Sequence, residues 1–298
     1  MLAGLLLAVA ACSPAPEPAA PEPVHGVVLL CLDTLRADHL GTYGYARDTS
    51  PAIDAFAATG VLFERAIAQA SSTLPSHRAL FQSRLASHAD ETAPVLAEVL
   101  SREGFRTAAF TGGGNVSAAF GFARGFERYD EDRGGLAASL PKVEAWLRAG
   151  AGDRFFLFLH TYDVHLPYDP PPPFATMFGE PYDGPVTGAN SRALLRAQRG
   201  LDGTDAPPAP LTRADRERIV GLYDGGIRYT DGQIARLLAL LDELGLAATT
   251  AVVLLSDHGE EFLDHGSWIH SHTVFDELVR VPLVFRVPGR EPSRVDAQ

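Results

Sequence analysis

Lysine is almost missing from this sequence. Lys142 is the only one in 298 residues, so a fixed cation facing an anionic ligand must be arginine, protonated histidine or a bound metal ion. Positive charge as a whole is short: 25 Lys plus Arg stand against 37 Asp plus Glu, for a formal charge of -12. That balance excludes a grip on nucleic acid built on phosphate neutralisation, and no nucleic-acid partner is expected. An acidic chain suits metal ions instead. Cysteine is confined to Cys12 and Cys31, which excludes a disulfide-stapled scaffold. The apolar run Leu2 to Ala11 falls short of the roughly 20 residues of a bilayer span, but has the length of a secretory h-region. What is present is ordinary: 46% apolar and 21% charged residues, with 28 Gly and 22 Pro. Such usage excludes collagen, coiled coil and wholesale disorder, and leaves one large domain or two small ones.

The first residues read as a targeting segment. Val9-Ala10-Ala11-Cys12 resembles the lipobox of bacterial lipoproteins, whose cysteine is lipidated, although no Lys or Arg precedes the apolar run. Ser13 to Pro23 reads SPAPEPAAPEP, an extended tether with nothing to bury. The expected organisation is a signal and lipobox over 1–12, a tether over 13–25 and one catalytic domain over 26–298. The resemblance implies an exported lipoprotein, anchored to the membrane and facing the periplasm or the cell exterior. A free exported protein is the alternative. Cys31 lies in an apolar strand and reads as a small core residue.

Beyond the tether, short apolar runs alternate with helical patterns, the arrangement of an α/β fold with a mostly parallel central sheet and helices on both faces. Candidate strands are Val27 to Leu32, Thr107 to Phe110, Phe155 to Leu159, Ala251 to Leu255 and Val281 to Val287. Ser50-Pro51 opens a helix that stops at Gly60, and Leu96 to Arg102 stops at Gly104. The clearest helix carries Ile234, Leu237, Leu238, Leu241 and Leu244, with Gly245 as its stop. Asp33 follows the first strand, His160, Asp163 and His165 the third, and Asp257-His258 the fourth. Ligands of open parallel sheets bind at the carboxyl ends of the strands. Carboxylates and imidazoles arriving there from separate strands point to a metal site. Four of the ten histidines, His258, His265, His270 and His272, also crowd one stretch. Thr73 precedes Pro75 at the start of a further helix, where free N–H groups suit an oxyanion. A threonine there is most often a cap, and it becomes a nucleophile only where a base or metal takes its proton.

Together these residues resemble the sulfatases and their relatives in the alkaline phosphatase superfamily. The likeness is carried by LDTLRADHLGTYGY at Leu32 to Tyr45, TLPSHRAL at Thr73 to Leu80 and HTYDVHLPY at His160 to Tyr168. It continues through Asp231, SDHGEEFLDHGSW at Ser256 to Trp268 and HSHTVFDELVRVPLVF at His270 to Phe285. The resemblance implies that Asp33, Asp257 and His258 hold a divalent metal, with Thr73 as nucleophile and additional ligand. It implies a substrate-contacting role for His165, and places His272 toward a second metal or the substrate oxygens. Asp163, His165 and His272 are the candidates for that second ion; a single-ion site is equally open. Oxygen donors with one imidazole favour Zn or Mn, with Ca or Mg possible.

Departures from the sulfatase pattern C/S-x-P-S-R bear on the chemistry. Thr73 stands where the residue converted to formylglycine would be, and a secondary alcohol cannot yield an aldehyde. His77 replaces the arginine of that pattern. Asp33-Thr34 offers one acid where sulfatases have a pair, and Thr111-Gly112-Gly113-Gly114-Asn115 stands where their G-K-W-H segment would be. The reading is therefore a phosphate or phosphonate ester hydrolase or transferase working through phospho-Thr73, with His165 or His272 protonating the leaving oxygen. His77, Asn115 and Arg78 are candidate substrate contacts. Asn115 also reads as a plain turn residue, and Arg36 or Arg78 as partners of carboxylates. The substrate is a small or lipid-linked anionic ester. The alternatives are a sulfuric ester hydrolase and a non-catalytic scaffold lipoprotein. Residues 168–210 read as an irregular lid, and the smaller C-terminal subdomain usual in the family is expected to be missing, the chain being either a truncated fragment or a compact variant.

Overall fold

The structure, a computed structural model, describes residues 24–90, 92–204 and 208–296. The predicted signal, the lipobox and all but the end of the tether lie outside them.

The chain opens with strand β1 (Gly26–Leu32), followed by helix α1 (Pro51–Ala58), β2 (Val61–Ile67), α2 (Thr73–Gln82) and α3 (Leu96–Arg102). Next come β3 (Arg106–Thr111), β4 (Arg128–Glu131), α4 (Gly135–Ala149), β5 (Phe155–Thr161), α5 (Gly188–Gln198) and the long α6 (Arg213–Glu243). β6 (Thr250–Leu255), β7 (Glu261–Phe262), β8 (Trp268–Ile269), the single turn α7 (Asp276–Val279), β9 (Arg280–Arg286) and β10 (Ser293–Val295) complete it. Eight strands form one sheet in the order β10-β2-β9-β6-β1-β5-β3-β4, and β7 pairs with β8 in a separate ribbon. β9 runs antiparallel to both of its neighbours, and the other pairs in the large sheet are parallel.

The centre of the sheet is covered on both faces, which is why β1 and β5 read as unbroken apolar runs rather than alternating ones. Val28, Leu30 and Leu32 pack with Ile53 of α1, Leu140 of α4 and Leu237 of α6. Leu29 and Cys31 point the other way, against Phe81 of α2, Ala97 of α3 and Phe158. Cys31 is a free, fully buried thiol whose pKa is pushed well above its usual value by burial.

All five expected strands form, each extended by one or two residues or shifted by one. β2, β4 and β10 escape notice in the sequence because they are only partly covered. The predicted helix around Ile234 is the last third of α6, whose true start is a capping box in which Thr212 accepts from the Asp215 N–H. Its first half is disguised by glycine. A Cβ at Gly221 would lie 2.3 Å from the Phe178 carbonyl oxygen, and one at Gly225 2.3 Å from that of Phe174. These glycines let the proline-rich segment lie directly on the helix. Nor is 168–210 wholly irregular, since α5 forms there under a Thr187–Asn190 capping box. It buries only Gly188, Ser191 and Leu195, too few apolar positions to mark a 3.6-residue period.

Candidate active site

β1, β5 and β6 are adjacent and parallel, so their carboxyl ends all open onto one edge of the sheet. Cys31 pairs in register with His160 of β5 and Leu255 of β6. Asp33, His160 and Asp257 therefore meet by backbone geometry alone. The turn after β1 is tight: Thr34 sits in the left-handed region at φ 62, a conformation that costs a non-glycine residue about 1 kcal/mol. It is held there by its neighbours. The Tyr223 hydroxyl donates to the Thr34 carbonyl at 2.7 Å and accepts from the Arg36 N–H at 2.9 Å, while the Thr34 N–H faces Asp257 Oδ1 at 3.4 Å. Ser256 Oγ accepts from the Leu35 N–H, and Ser76 Oγ donates to the Asp257 carbonyl, tying both loops to α2.

Thr73 is the first residue of α2, yet its hydroxyl does not cap the helix. It donates to Asp33 Oδ2 at 3.2 Å and lies 3.3 Å from His258 Nε2. His258 Nδ1 donates to the Gly259 carbonyl at 2.9 Å, which turns the Nε2 lone pair toward the carboxylates. The donor atoms of Asp33, Asp257 and His258 lie within 4.8 Å of one another, and all three residues are buried. Among the described residues, Asp33 Oδ1 and Asp257 Oδ2 have no hydrogen-bond partner although both are fully buried. Burial raises the Asp33 pKa, but the His160 hydrogen bond and the nearby His165 and His258 overcome this and hold it well below the usual carboxylate range. Asp257 is likewise lowered: burial and Asp33 push it up, and His258 and His77 outweigh them. Two buried carboxylates facing each other with orphaned oxygens and an imidazole lone pair are costly alone, and fit a divalent cation.

The other residues expected from the sequence are placed less uniformly. His165 stands at the mouth, its Nε2 3.9 Å from Asp33 Oδ1 and its Nδ1 donating to the Leu166 carbonyl at 2.7 Å. Asn115 is exposed on the wall of an adjoining cavity of about 500 Å³ that His165 also lines. His77 is buried behind the carboxylates, with Nδ1 donating to the Thr73 carbonyl at 3.0 Å and lying 3.4 Å from Asp257 Oδ2. Burial opposes its protonation, but Asp257 raises its pKa. It is placed to steady Asp257 and Thr73 rather than to touch substrate.

The structure does not assemble the expected second-ion set. The Asp163 carboxylate is turned to the first turn of α4, accepting from the Leu136 N–H at 2.9 Å and from Thr161 Oγ1 at 2.7 Å. Both ring nitrogens of His272 are engaged, Nε2 with Glu261 at 2.6 Å and Nδ1 with Arg199 at 3.0 Å. Arg78 lines a different cavity of about 440 Å³ beside Phe81 and Phe122. Arg36 is locked to Asp38 and Asp264.

Two further histidines stand at the site: His160, which the sequence places at this edge without a specific role, and His270, which it places only in the histidine cluster. His160 Nε2 lies 3.3 Å from Asp33 Oδ2, and burial lowers its pKa. The His270 ring lies 4.5 Å from that of His258 and 5.2 Å from that of His165. Its Nδ1 is 2.8 Å from Glu260, which overcomes burial and pushes its pKa up to about 9, while Nε2 has no hydrogen-bond partner among the described residues. The signal for His160 was its register at the end of an apolar strand. For His270 versus His272, two residues apart in one cluster, spacing offered no discrimination.

An open, mostly parallel α/β sheet that gathers buried carboxylates, an imidazole and a helix-starting hydroxyl at its carboxyl edge defines the alkaline phosphatase superfamily architecture. The sulfatase family profile matches residues 25–298, and the chain belongs to that family. Human iduronate 2-sulfatase is 31% identical over 156 residues, an alignment covering 48% of this chain and 28% of that protein, so the likeness spans about a quarter of the relative. Among solved structures, a phosphonate monoester hydrolase of Agrobacterium radiobacter superposes with a TM-score of 0.73 at 21% identity, over 93% of this chain and 70% of that one. The periplasmic domain of phosphoethanolamine transferase EptC from Campylobacter jejuni superposes with a TM-score of 0.69 at 19% identity, over 89% and 80%.

Proposed function

We propose that the chain is a metal-dependent hydrolase or transferase of phosphate or phosphonate esters, working through a covalent phospho-Thr73. The observation that carries this reading is that the Thr73 hydroxyl, at the start of a helix, is directed to Asp33 and not to a cap. An alcohol that cannot become an aldehyde is suited to attack on phosphorus.

Asp33, Asp257 and His258 are the residues that would hold the ion, with Zn or Mn favoured by their mixed donors. When bound, a divalent ion lowers the proton affinity of a neighbouring hydroxyl and neutralises anionic charge. Thr73 Oγ1, oriented by its hydrogen bond to Asp33 Oδ2, attacks phosphorus as its proton leaves to water. The free N–H groups at the start of α2 receive the nonbridging oxygens. As the bond to the leaving oxygen breaks, His270 Nε2 supplies its proton, and Glu260 holds the resulting ring in place. Water, or an acceptor alcohol in a transferase, is then deprotonated by His270 and cleaves the phosphothreonine. His165 fixes the substrate at the mouth.

Export, with an anchor through a lipidated Cys12, belongs to the same proposal, as does a small or lipid-linked ester as substrate. Among the described residues no helix is long and apolar enough to cross a membrane. A soluble form beginning at Ser13, loaded with Mn or Zn, would be offered nitrophenyl esters of phosphate, phosphonate and sulfate. Phosphorus ester turnover that vanishes in Thr73→Ala, with phosphate trapped on Thr73, is expected. Thr73-dependent turnover of the sulfate alone would move the reading to a sulfatase, and a protein that retains no metal would make it a scaffold.

A further inference from the structure

The cavity of about 500 Å³ beside His165 has a second feature that the chemistry at Thr73 does not use. Arg133 and Arg192 both line it, together with Asn115. Neither arginine has a carboxylate partner among the described residues, in a chain whose formal charge is -12. Arg192 donates to the Leu166 carbonyl, next to His165, and so faces the cavity from a fixed position. The acids in the same wall are already answered. Asp132 is held by Lys142 at 2.8 Å, and Lys142 also binds Asp130 at 2.8 Å. The Asp163 carboxylate is taken up by the Leu136 N–H and Thr161. That leaves two guanidiniums without a carboxylate against one carboxylate, Asp163, held by neutral donors, so the wall keeps an excess of positive charge among the described residues.

We propose that this cavity binds a second anionic group of the substrate, through Arg133 and Arg192. This deepens the reading given above and rests on it: the preferred ester carries a further negative charge, a carboxylate, sulfate or phosphate, on the part of the molecule beyond the reacting phosphorus. An exposed, unpaired guanidinium recognises such a group by charge-assisted, bidentate hydrogen bonds. Substrates lacking it would bind through the metal-side groups alone.

The test uses metal-loaded Thr73→Ala protein and a series of ω-carboxyalkyl phosphonates of increasing chain length, each paired with its own methyl ester. Titration calorimetry measures both members of each pair. At the matching length the free acid should bind about tenfold more tightly than its ester, as expected for one charge-assisted contact. Arg133→Glu should abolish that preference while leaving affinity for the methyl ester, whose only charge is on the phosphonate, within about twofold; Arg133→Gln should fall between. Arg133 is exposed and makes no hydrogen bond or ion pair among the described residues, so both variants remain testable. If the esters bind but no acid gains, or if Arg133→Glu keeps the preference, this inference fails alone. If no phosphonate binds at all, the phosphoester reading fails and takes this one with it.

Discussion

The candidate site is built in two halves by different means. One half hangs from the sheet: Asp33, His160, Asp257 and His258 sit where three paired parallel strands end, and the ladder hydrogen bonds place them. The other half hangs from the β7–β8 ribbon, two residues per strand, with Leu263, Ile269 and Ser271 at positive φ. Here placement comes from pairs between carboxylates and imidazoles: Glu260 with His270, Glu261 with His272 and Glu277 with His265. A further hydrogen bond from the Ser271 N–H to the Ser71 carbonyl ties the ribbon to the loop before Thr73. A sheet edge is set by its ladder hydrogen bonds, whereas the short ribbon, with two paired residues per strand, is braced by side-chain pairs as well. The first half is suited to holding an ion rigidly, the second to aligning a proton donor.

The sharpest way to test this division is Asp257→Asn. It should leave the fold intact, abolish retention of metal measured by emission spectrometry, and lower turnover by about 10³-fold. Retained metal at full stoichiometry would mean that the sheet half is not the ion site. Next in size is a contrast within the ribbon. His270→Asn should lower kcat by about 10²-fold, the scale of a lost acid–base group, while His272→Asn should cost less than about tenfold. The reverse order would return the catalytic role to His272.

A smaller effect concerns how the ribbon survives acid. Burial raises the Asp264 pKa, but the Arg36 hydrogen bonds outweigh it and the value is lowered. A depressed carboxylate stabilises the fold fully above its unfolded pKa and loses that contribution as pH falls through the folded value. Asp264→Asn should therefore cost about 1–3 kcal/mol near neutrality and flatten the loss of stability below about pH 4. Urea unfolding at pH 3 and pH 7 checks this, and an unchanged pH slope would contradict it. Least of all, Asp163→Ala should cost about 1 kcal/mol as the loss of a helix-start acceptor, with metal content unchanged. A fall from two ions to one would restore Asp163 to a second ion site.

The same division explains what could be read from the sequence. The sheet half announces itself, because VVLLCL, FFLFL and AVVLL are long buried runs and the polar residue after each has one place to go. Asp33, Asp257 and His258 were legible for that reason, and Thr73 was legible as the start of a helix. In the ribbon, which histidine turns inward depends on backbone turns at Ile269 and Ser271 that neither residue type advertises. Arg133 and Arg192 were invisible for another reason. They are far apart in sequence, one at the foot of α4 and one in α5, and only the fold brings them to one cavity beside His165. The glycine-bearing half of α6 was hidden because the close approach it permits belongs to a segment some fifty residues away.

The clamp of Lys142 on Asp130 and Asp132 has a practical corollary. A protease that cuts only after lysine has one bond to find in this chain, and an amine-reactive dye has one side chain to label, half-exposed on α4. Acylating that nitrogen removes its charge and releases Asp132 beside Arg133. One modification thus both tags the protein and turns a neutralised acid into a competitor for the guanidinium, so a label placed there reads out, and disturbs, whatever anion the cavity holds.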